Sequence, residues 1–296
     1  MSAPVVGPSV VAIGGGHGLS VTLSALRGYA GDIYGIVSVA DDGGSSGRLR
    51  KVLGTIPPGD LRKCLVALAD EESHLAQLFD HRFHAGELAG HALGNLILAA
   101  LFERYGDLQL ALDEAGKLLG TCGRVVPAAL QPVVLIAETA NGEVKGQSAV
   151  MAAGSILHLT MLPPDPAVPA EALSAICHAD QVIIGPGSLY TSIIAAAGIP
   201  AIAKEISATQ GQRIYVTNLR EQSGETDGYD VAAHVLALHE HGIEVDLVLA
   251  DPGWLPLGAL DCLDIPVVLE DIAREGMPLH DPYKLAAVLS RLHGHP

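Results

Sequence analysis

A chain of 296 residues with 49% hydrophobic, 4% aromatic and 17% charged residues builds its core from Ala, Val, Leu and Ile. Buried parallel strands with covering helices use that composition. The formal net charge of −16 argues against a nucleic-acid partner, because binding along a phosphate backbone relies on clustered Lys and Arg. No stretch of about 20 uninterrupted apolar residues is present, so no membrane insertion is expected, and with no basic segment ahead of an apolar core a cytoplasmic location is expected.

Taken in chain order, the run Ser9 to Ile13 reads as a short β-branched strand. It ends in GGGHG and passes into a helix whose Leu19, Leu23 and Leu26 share helical spacing. Ile33 to Val39 is the next strand, with ADDGGSSGR at its carboxyl end. Two consecutive units of this kind imply a parallel sheet with right-handed crossovers. From Gly59 to about Leu119 the pattern is helical, and HALGNLILAALFERY reads as one of the helices. Asn141-Gly142 between two alternating runs then predicts a hairpin, and ILHLTMLPPDP adds a strand to the same excursion. The α/β rhythm resumes at QVIIGPGSLYTSIIAAAG and continues through RIYVTNL, VDLVLAD and IPVVLED to a last helix near Lys284 to Leu292. The expected architecture is one α/β domain over residues 1–296, a Rossmann-like, doubly wound, mainly parallel sheet. A helical and hairpin insertion is expected over about residues 59–165.

In an open parallel sheet, ligands bind outside the carboxyl ends of the strands. Four loops that follow predicted strands carry ligand-directed residues: GGGHGLS, ADDGGSSGRLRK, GPGSLYTS and TNLREQSGETD. Gly14, Gly15, Gly16 and Gly18 leave backbone N–H groups uncovered at a helix start, which suits a diphosphate; a tight strand-to-helix turn is the simpler reading. The dinucleotide fingerprint fails at its third glycine, where Leu19 stands, although Asp41 and Asp42 keep a nicotinamide cofactor open. Gly185 and Gly187 repeat the device, and Ser188 is placed either to cap the helix or to bond a phosphate oxygen.

In the second loop, Asp41 and Asp42 can share a hard cation, Ser45 and Ser46 supply hydroxyls, and Arg48 and Arg50 supply charge for phosphate. Asp60, Arg62 and Lys63 continue the pattern; mutual pairing on a solvated surface is the alternative. A site of three aspartates is sparse, but Mg²⁺ keeps waters and takes ligands from a nucleotide diphosphate. His91 and Asn95, four apart on one helix face, face a ligand or satisfy buried backbone. His81, His84, His234, His239 and His241 lack the company of a zinc site. No G-x-S-x-G elbow is present. The four cysteines, Cys64, Cys122, Cys177 and Cys262, are far apart and read as reduced, mostly buried thiols.

Together, GGGHGLS, VADDGGSSGRLR, PPGDLRKCL, HALGNL, GPGSLYTSI and QSGETDGY resemble the YvcK family of gluconeogenesis factors, a branch of the CofD-like 2-phospho-lactate transferase superfamily. The resemblance runs in order from about Val10 to near Asp281. It implies a Rossmann-like fold, binding of UDP-sugars such as UDP-N-acetylglucosamine, and a regulatory role in carbon-source-dependent cell-wall (peptidoglycan) synthesis and cell shape. Partners among cell-wall synthesis proteins and a homodimer are expectations of the same kind. The CofD branch implies the alternative: a metal-dependent transferase acting on a nucleotide-activated phosphoester, with Asp41, Asp42 and Asp60 resembling its metal positions. On the regulator reading, Gly14 to Gly18 and Gly185 to Ser188 hold the diphosphate, and the Asp41 loop and Asn218 to Asp227 shape the rest. Two positions depart from the family pattern: His17 replaces a threonine, and Leu279 replaces an arginine of the UDP-sugar site.

Overall fold

A computed structural model describes residues 7–40, 42 and 57–293. Strand β1 (Ser9–Gly14) leads through a glycine turn into α1 (Gly16–Leu26), and β2 (Asp32–Val37) follows. Four helices come next: α2 (Pro58–Leu68), α3 (His74–Asp80), α4 (Leu93–Tyr105) and α5 (Leu108–Leu119). After β3 (Arg124–Pro127) the chain builds β4 (Val134–Thr139), β5 (Gly142–Lys145), α6 (Gln147–Met151) and β6 (Ile156–Leu162). Then come α7 (Ala170–Cys177), β7 (Gln181–Ile184), a π-helical segment (Leu189–Ile194) running into α8 (Ala195–Ala197), and α9 (Pro200–Ala208). The last elements are β8 (Gln212–Val216), α10 (Val231–Glu240), β9 (Leu247–Ala250), β10 (Val267–Leu269) and α11 (Pro282–His293).

Seven strands form a parallel sheet in the order β10-β9-β8-β7-β1-β2-β3. The chain therefore builds outward from β1 through β2 and β3, then returns to β7 on the other side of β1 and builds away. The switch in strand order lies between β1 and β7, where a doubly wound sheet opens its ligand crevice. Val10, Val11, Ala12 and Ile13 are fully buried because helices cover both faces. Leu19, Leu23 and Leu26 present one buried face of α1, as their spacing predicts. Gly35 of β2 lets that helix approach closely, since a Cβ there would stand 3.0 Å from Leu23 Cδ1.

The excursion differs from its expected form in three ways. First, β3, in the middle of residues 59–165, pairs in parallel with β2 and extends the main sheet, so the helices before it and the small sheet after it are separate pieces. Second, β4 pairs antiparallel with β5 and β6, but the register joins Thr139 to Gly142 and places Ala140 and Asn141 in the turn, one position before the Asn-Gly expected. The Thr139 side chain accounts for the shift: its Oγ1 accepts from Asn141 N at 3.2 Å and donates to the Gly142 carbonyl at 2.7 Å. Third, α4 begins at Leu93, because residues 81–92 fold back on themselves. Phe83 N–H bonds to the His91 carbonyl, Gly90 N–H to the Phe83 carbonyl, and Arg82 bridges Ala92. His91 is therefore off the helix and shares no face with Asn95.

Cys64 is buried, whereas Cys122, Cys177 and Cys262 are exposed, so the burial expected of the thiols holds for one of them. Among the described residues, no single helix is long and apolar enough to cross a membrane.

Candidate functional site

The two glycine turns leave adjacent strands at the switch point and touch. Gly14 (φ +158°) and Gly16 (φ +61°) take backbone conformations that side chains disfavour, while Gly15 is the extended residue from which α1 starts. Gly18, in the first turn of α1, lies against the Pro186 carbonyl so closely that a Cβ would overlap it. Thr22 Oγ1, one turn further along, donates to the Gly185 carbonyl at 3.1 Å. The head of α1 and the second turn are thus one packed unit. A helix leaves its first-turn N–H groups without internal partners, and His17 and Gly18 of that turn line the cleft described below.

The second turn is locked from the β8 side. Asn218 Oδ1 accepts from Gly187 N at 2.9 Å and its Nδ2 donates to the Gly187 carbonyl at 2.8 Å. Asn218 therefore brackets the turn. Ser188 does not cap the following helical segment; its Oγ accepts from Gln222 Nε2 at 2.9 Å. The helix start itself is taken by Glu225, whose Oε1 accepts from Tyr190 N at 3.0 Å and Thr191 N at 2.6 Å. A protein carboxylate thus occupies the N-terminus that sequence reasoning offered to a phosphate. Asp227 turns away from the crevice, exposed, and accepts from Gly224 N at 2.8 Å.

Burial pushes the Glu225 carboxyl above its ordinary value, and its bonds to Thr191 and Tyr190 only partly offset this. An acid with a raised folded pKa binds protons more readily folded than unfolded, so ionising Glu225 lowers stability as pH rises through that value. Glu225→Ala is expected to destabilise by about 3 kcal/mol, since it leaves two buried N–H groups without an acceptor. Glu225→Gln, whose amide oxygen can still accept, is expected to lose less. Urea unfolding of the two variants beside the parent protein checks this, and equal midpoints for all three would remove Glu225 from the role.

Two adjoining clefts open over this unit. One, of about 460 Å³, is lined by His17, Gly18, Val21, Pro186, Gly187, Asn218, Leu219, Arg220, Gln222, Arg274, Pro278, Leu279 and His280. The other, of about 380 Å³, shares His17, Val21 and Arg274 and adds Arg62, Lys63, Arg82 and Asp80. Among the described residues, five of the 17 Lys and Arg of the chain (Arg62, Lys63, Arg82, Arg220 and Arg274) line these two clefts. In a chain of net charge −16, that is a local concentration of cationic side chains.

Arg62 is buried at 3% exposure; it pairs with Asp80 and donates from Nε to Asn95 Oδ1 at 3.0 Å. Asn95 is thus a support for Arg62. His17 stands at the mouth; lost hydration and then the Lys63 charge lower its pKa, keeping the imidazole neutral near pH 7. His280 donates from Nε2 to the Thr217 carbonyl at 3.1 Å, and burial pulls its pKa down to about 4.

Two of the aspartates expected to share a cation, Asp60 and Asp42, accept hydrogen bonds from other side chains. Asp60, in the first turn of α2, accepts from Lys63 Nζ at 2.9 Å and lies beside Gly15 and Gly16. Asp42 accepts from Ser148 N at 3.0 Å and Ser148 Oγ at 2.6 Å, and so fastens α6 to the main sheet. Asp41, Ser45, Ser46 and Arg48 lie outside the described residues. Among those described, no three His, Cys, Asp or Glu come together as a metal site. Asp42 and Asp60, the two described members of the expected donor set, are not brought together with a third ligand among the described residues.

Arg82, Arg274, Gln222 and Glu225 were not singled out in the sequence. Glu225 lies within a quoted motif, QSGETD, and its partners are 34 and 35 residues away. Arg274 has no local pattern around it.

Comparison with known proteins shows the family and the fold. The family model for 2-phospho-L-lactate transferase CofD matches residues 10–263. A putative gluconeogenesis factor of Nostoc is 42% identical, over 97% of this chain and 69% of its own length. The Bacillus subtilis gluconeogenesis factor is 46% identical over 79% of this chain and 75% of its own. The crystal structure of a UPF0052 family member from Bacillus halodurans superposes with a TM-score of 0.91 at 37% identity, covering 96% of this chain and 98% of that one. The chain belongs to the CofD family, on the branch of the gluconeogenesis factors.

Proposed function

We propose that this chain is a cytoplasmic regulator that binds a nucleotide sugar of the UDP-N-acetylglucosamine type and links carbon metabolism to cell-wall synthesis and cell shape. The observation that carries the reading is the cationic cleft at the switch point between β1 and β7. Its floor is the glycine turn at the head of α1, and its larger compartment has an apolar wall of Val21, Pro186, Leu219, Pro278 and Leu279. A diphosphate joined to a planar base matches that division into charged and apolar parts. Proteins of the cell-wall synthesis machinery would then receive the signal, and two copies of the chain would form the sensing unit.

The transferase reading needs a carboxylate-held cation, and one oxygen of each of two expected ligands is already bonded within the protein, Asp42 Oδ1 to Ser148 and Asp60 Oδ1 to Lys63. Calorimetric titration with UDP-N-acetylglucosamine, UDP and GDP, each with Mg²⁺ and with EDTA, tests the choice. Saturable UDP-sugar binding that ignores EDTA is the expected result. Mg²⁺-dependent GDP binding without UDP-sugar binding would overturn it.

A further inference from the structure

Nine arginines fall within the described residues, and seven of them are engaged. Arg27, Arg62, Arg124, Arg213 and Arg291 pair with carboxylates. Arg82 donates to the Gly90 carbonyl, and Arg104 sits over the Tyr105 ring. The remaining two, Arg220 and Arg274, have no carboxylate, carbonyl or ring partner among the described residues, and both line the larger cleft. Acidic residues outnumber basic ones 33 to 17 in this chain, so a guanidinium without a partner is unusual, and two on one cleft are a pattern.

We propose that Arg220 and Arg274 form a two-armed clamp that grips the phosphate groups of the ligand across the mouth of this cleft. The inference rests on reading the cleft as a nucleotide-diphosphate site. The arms come from different loops, and each is fixed at its base. The loop carrying Arg274 is held by Asp251, whose Oδ2 accepts from Ile272 N at 2.9 Å and Ala273 N at 3.1 Å. Arg274 N–H bonds to the Leu279 carbonyl at 2.8 Å, and Lys284 Nζ donates to the Ala273 carbonyl at 2.8 Å. Arg220 stands between Asn218 and Gln222, both of which are tied to the second glycine turn. Because the backbones are already anchored, binding has only the two side chains left to order.

A planar guanidinium can take two phosphate oxygens at once. In the neighbouring compartment Arg62 is paired with Asp80, Lys63 with Asp60, and Arg82 is tied to the Gly90 carbonyl, so Arg220 and Arg274 are the guanidinium groups with donors left uncommitted among the described residues. Arg274 also lines both compartments, which places it at the seam a diphosphate would cross. Leu279 contributes an apolar side chain to the same wall; the charge on this side of the cleft comes from Arg274.

The test is calorimetric titration of the full chain with UDP-N-acetylglucosamine and, separately, with inorganic diphosphate, for the parent protein, Arg220→Gln, Arg274→Gln and the control Arg104→Gln. Each clamp variant is expected to bind both probes about tenfold more weakly or worse, the loss typical of a charge-assisted hydrogen bond. Arg104→Gln, with the same change of net charge, is expected to bind like the parent. Unchanged melting temperatures of the clamp variants would follow from their lack of protein partners. Parent-like affinity of both clamp variants for UDP-N-acetylglucosamine overturns the clamp and leaves the nucleotide-sugar reading standing. Diphosphate binding that depends on both arginines, without UDP-sugar binding, keeps the clamp and overturns that reading. A parent protein that binds neither probe overturns both.

Discussion

Gly18→Ala is expected to destabilise the protein by about 3 kcal/mol or more and to abolish ligand binding, because the added methyl has nowhere to go. Its Cβ would overlap the Pro186 carbonyl and stand 2.9 Å from Gly187 Cα, and both are backbone. Neither can retreat: Gly187 is bracketed by Asn218 and the Gly185 carbonyl accepts from Thr22. Gly16→Ala is the informative comparison. There the nearest atom to a new Cβ is Asp60 Oδ2 at 3.9 Å, so space is available and only the positive φ of +61° opposes the substitution. That conformation costs about 1–2 kcal/mol in a residue with a side chain. Urea unfolding should therefore rank Gly18→Ala well below Gly16→Ala, and equal losses would show that the two glycine turns do not touch.

Stability is also expected to fall by about 2 kcal/mol between pH 7 and pH 5 through His280 alone. The imidazole is neutral in the fold, with its pKa pulled down to about 4, whereas in the unfolded chain it protonates near the ordinary value of about 6.5. Below that value the unfolded state takes up the proton first, so stability drains away as pH falls and the loss is complete below about 4. Burial shifts His241 and His234 in the same direction. For His241 the geometry explains the sense: Nδ1 bonds to the Ala237 carbonyl, so Nε2 carries no proton and accepts from Leu159 N at 3.0 Å, with the His158 ring stacked 4.7 Å away. Glu225 opposes the trend over the acid end of the range, because its raised pKa rewards protonation. His280→Gln, which can still donate to Thr217, should lose less stability than the parent between pH 7 and pH 5. An identical loss would remove His280 from the acid response.

The sequence made the main sheet legible because its signals are local. Short β-branched runs such as Val10 to Ile13 end in glycines, and a leucine spacing of four and three marks the helix that follows. The two glycine turns, and their place at strand ends, follow from that rhythm, whereas the adjacency of β1 and β7 is seen only in the sheet order. What the sequence hid are pairings between distant residues. Arg62 and Asn95 are 33 apart, and Gly187 and Asn218 are 31 apart. His91 was misplaced for a related reason, since helix propensity extends through HALGNL while the backbone bonds of residues 81–92 hold it in a fold-back. Ser188 illustrates the limit most plainly. Its neighbours predict a cap or a phosphate contact, and the structure gives its hydroxyl to Gln222 because Glu225 has already taken the helix start.

The loop between β8 and α10 serves several masters. Asn218, Leu219, Arg220 and Gln222 line the cleft, Glu225 caps the π-helical segment, and the Gly224 carbonyl accepts from Gly154 N at 2.8 Å, just before β6. Selection acting on any one of these duties acts on all of them. A lineage that changed its preferred ligand by altering this loop would also reset how the small sheet sits, so taste for the ligand and the face shown to other molecules are inherited together.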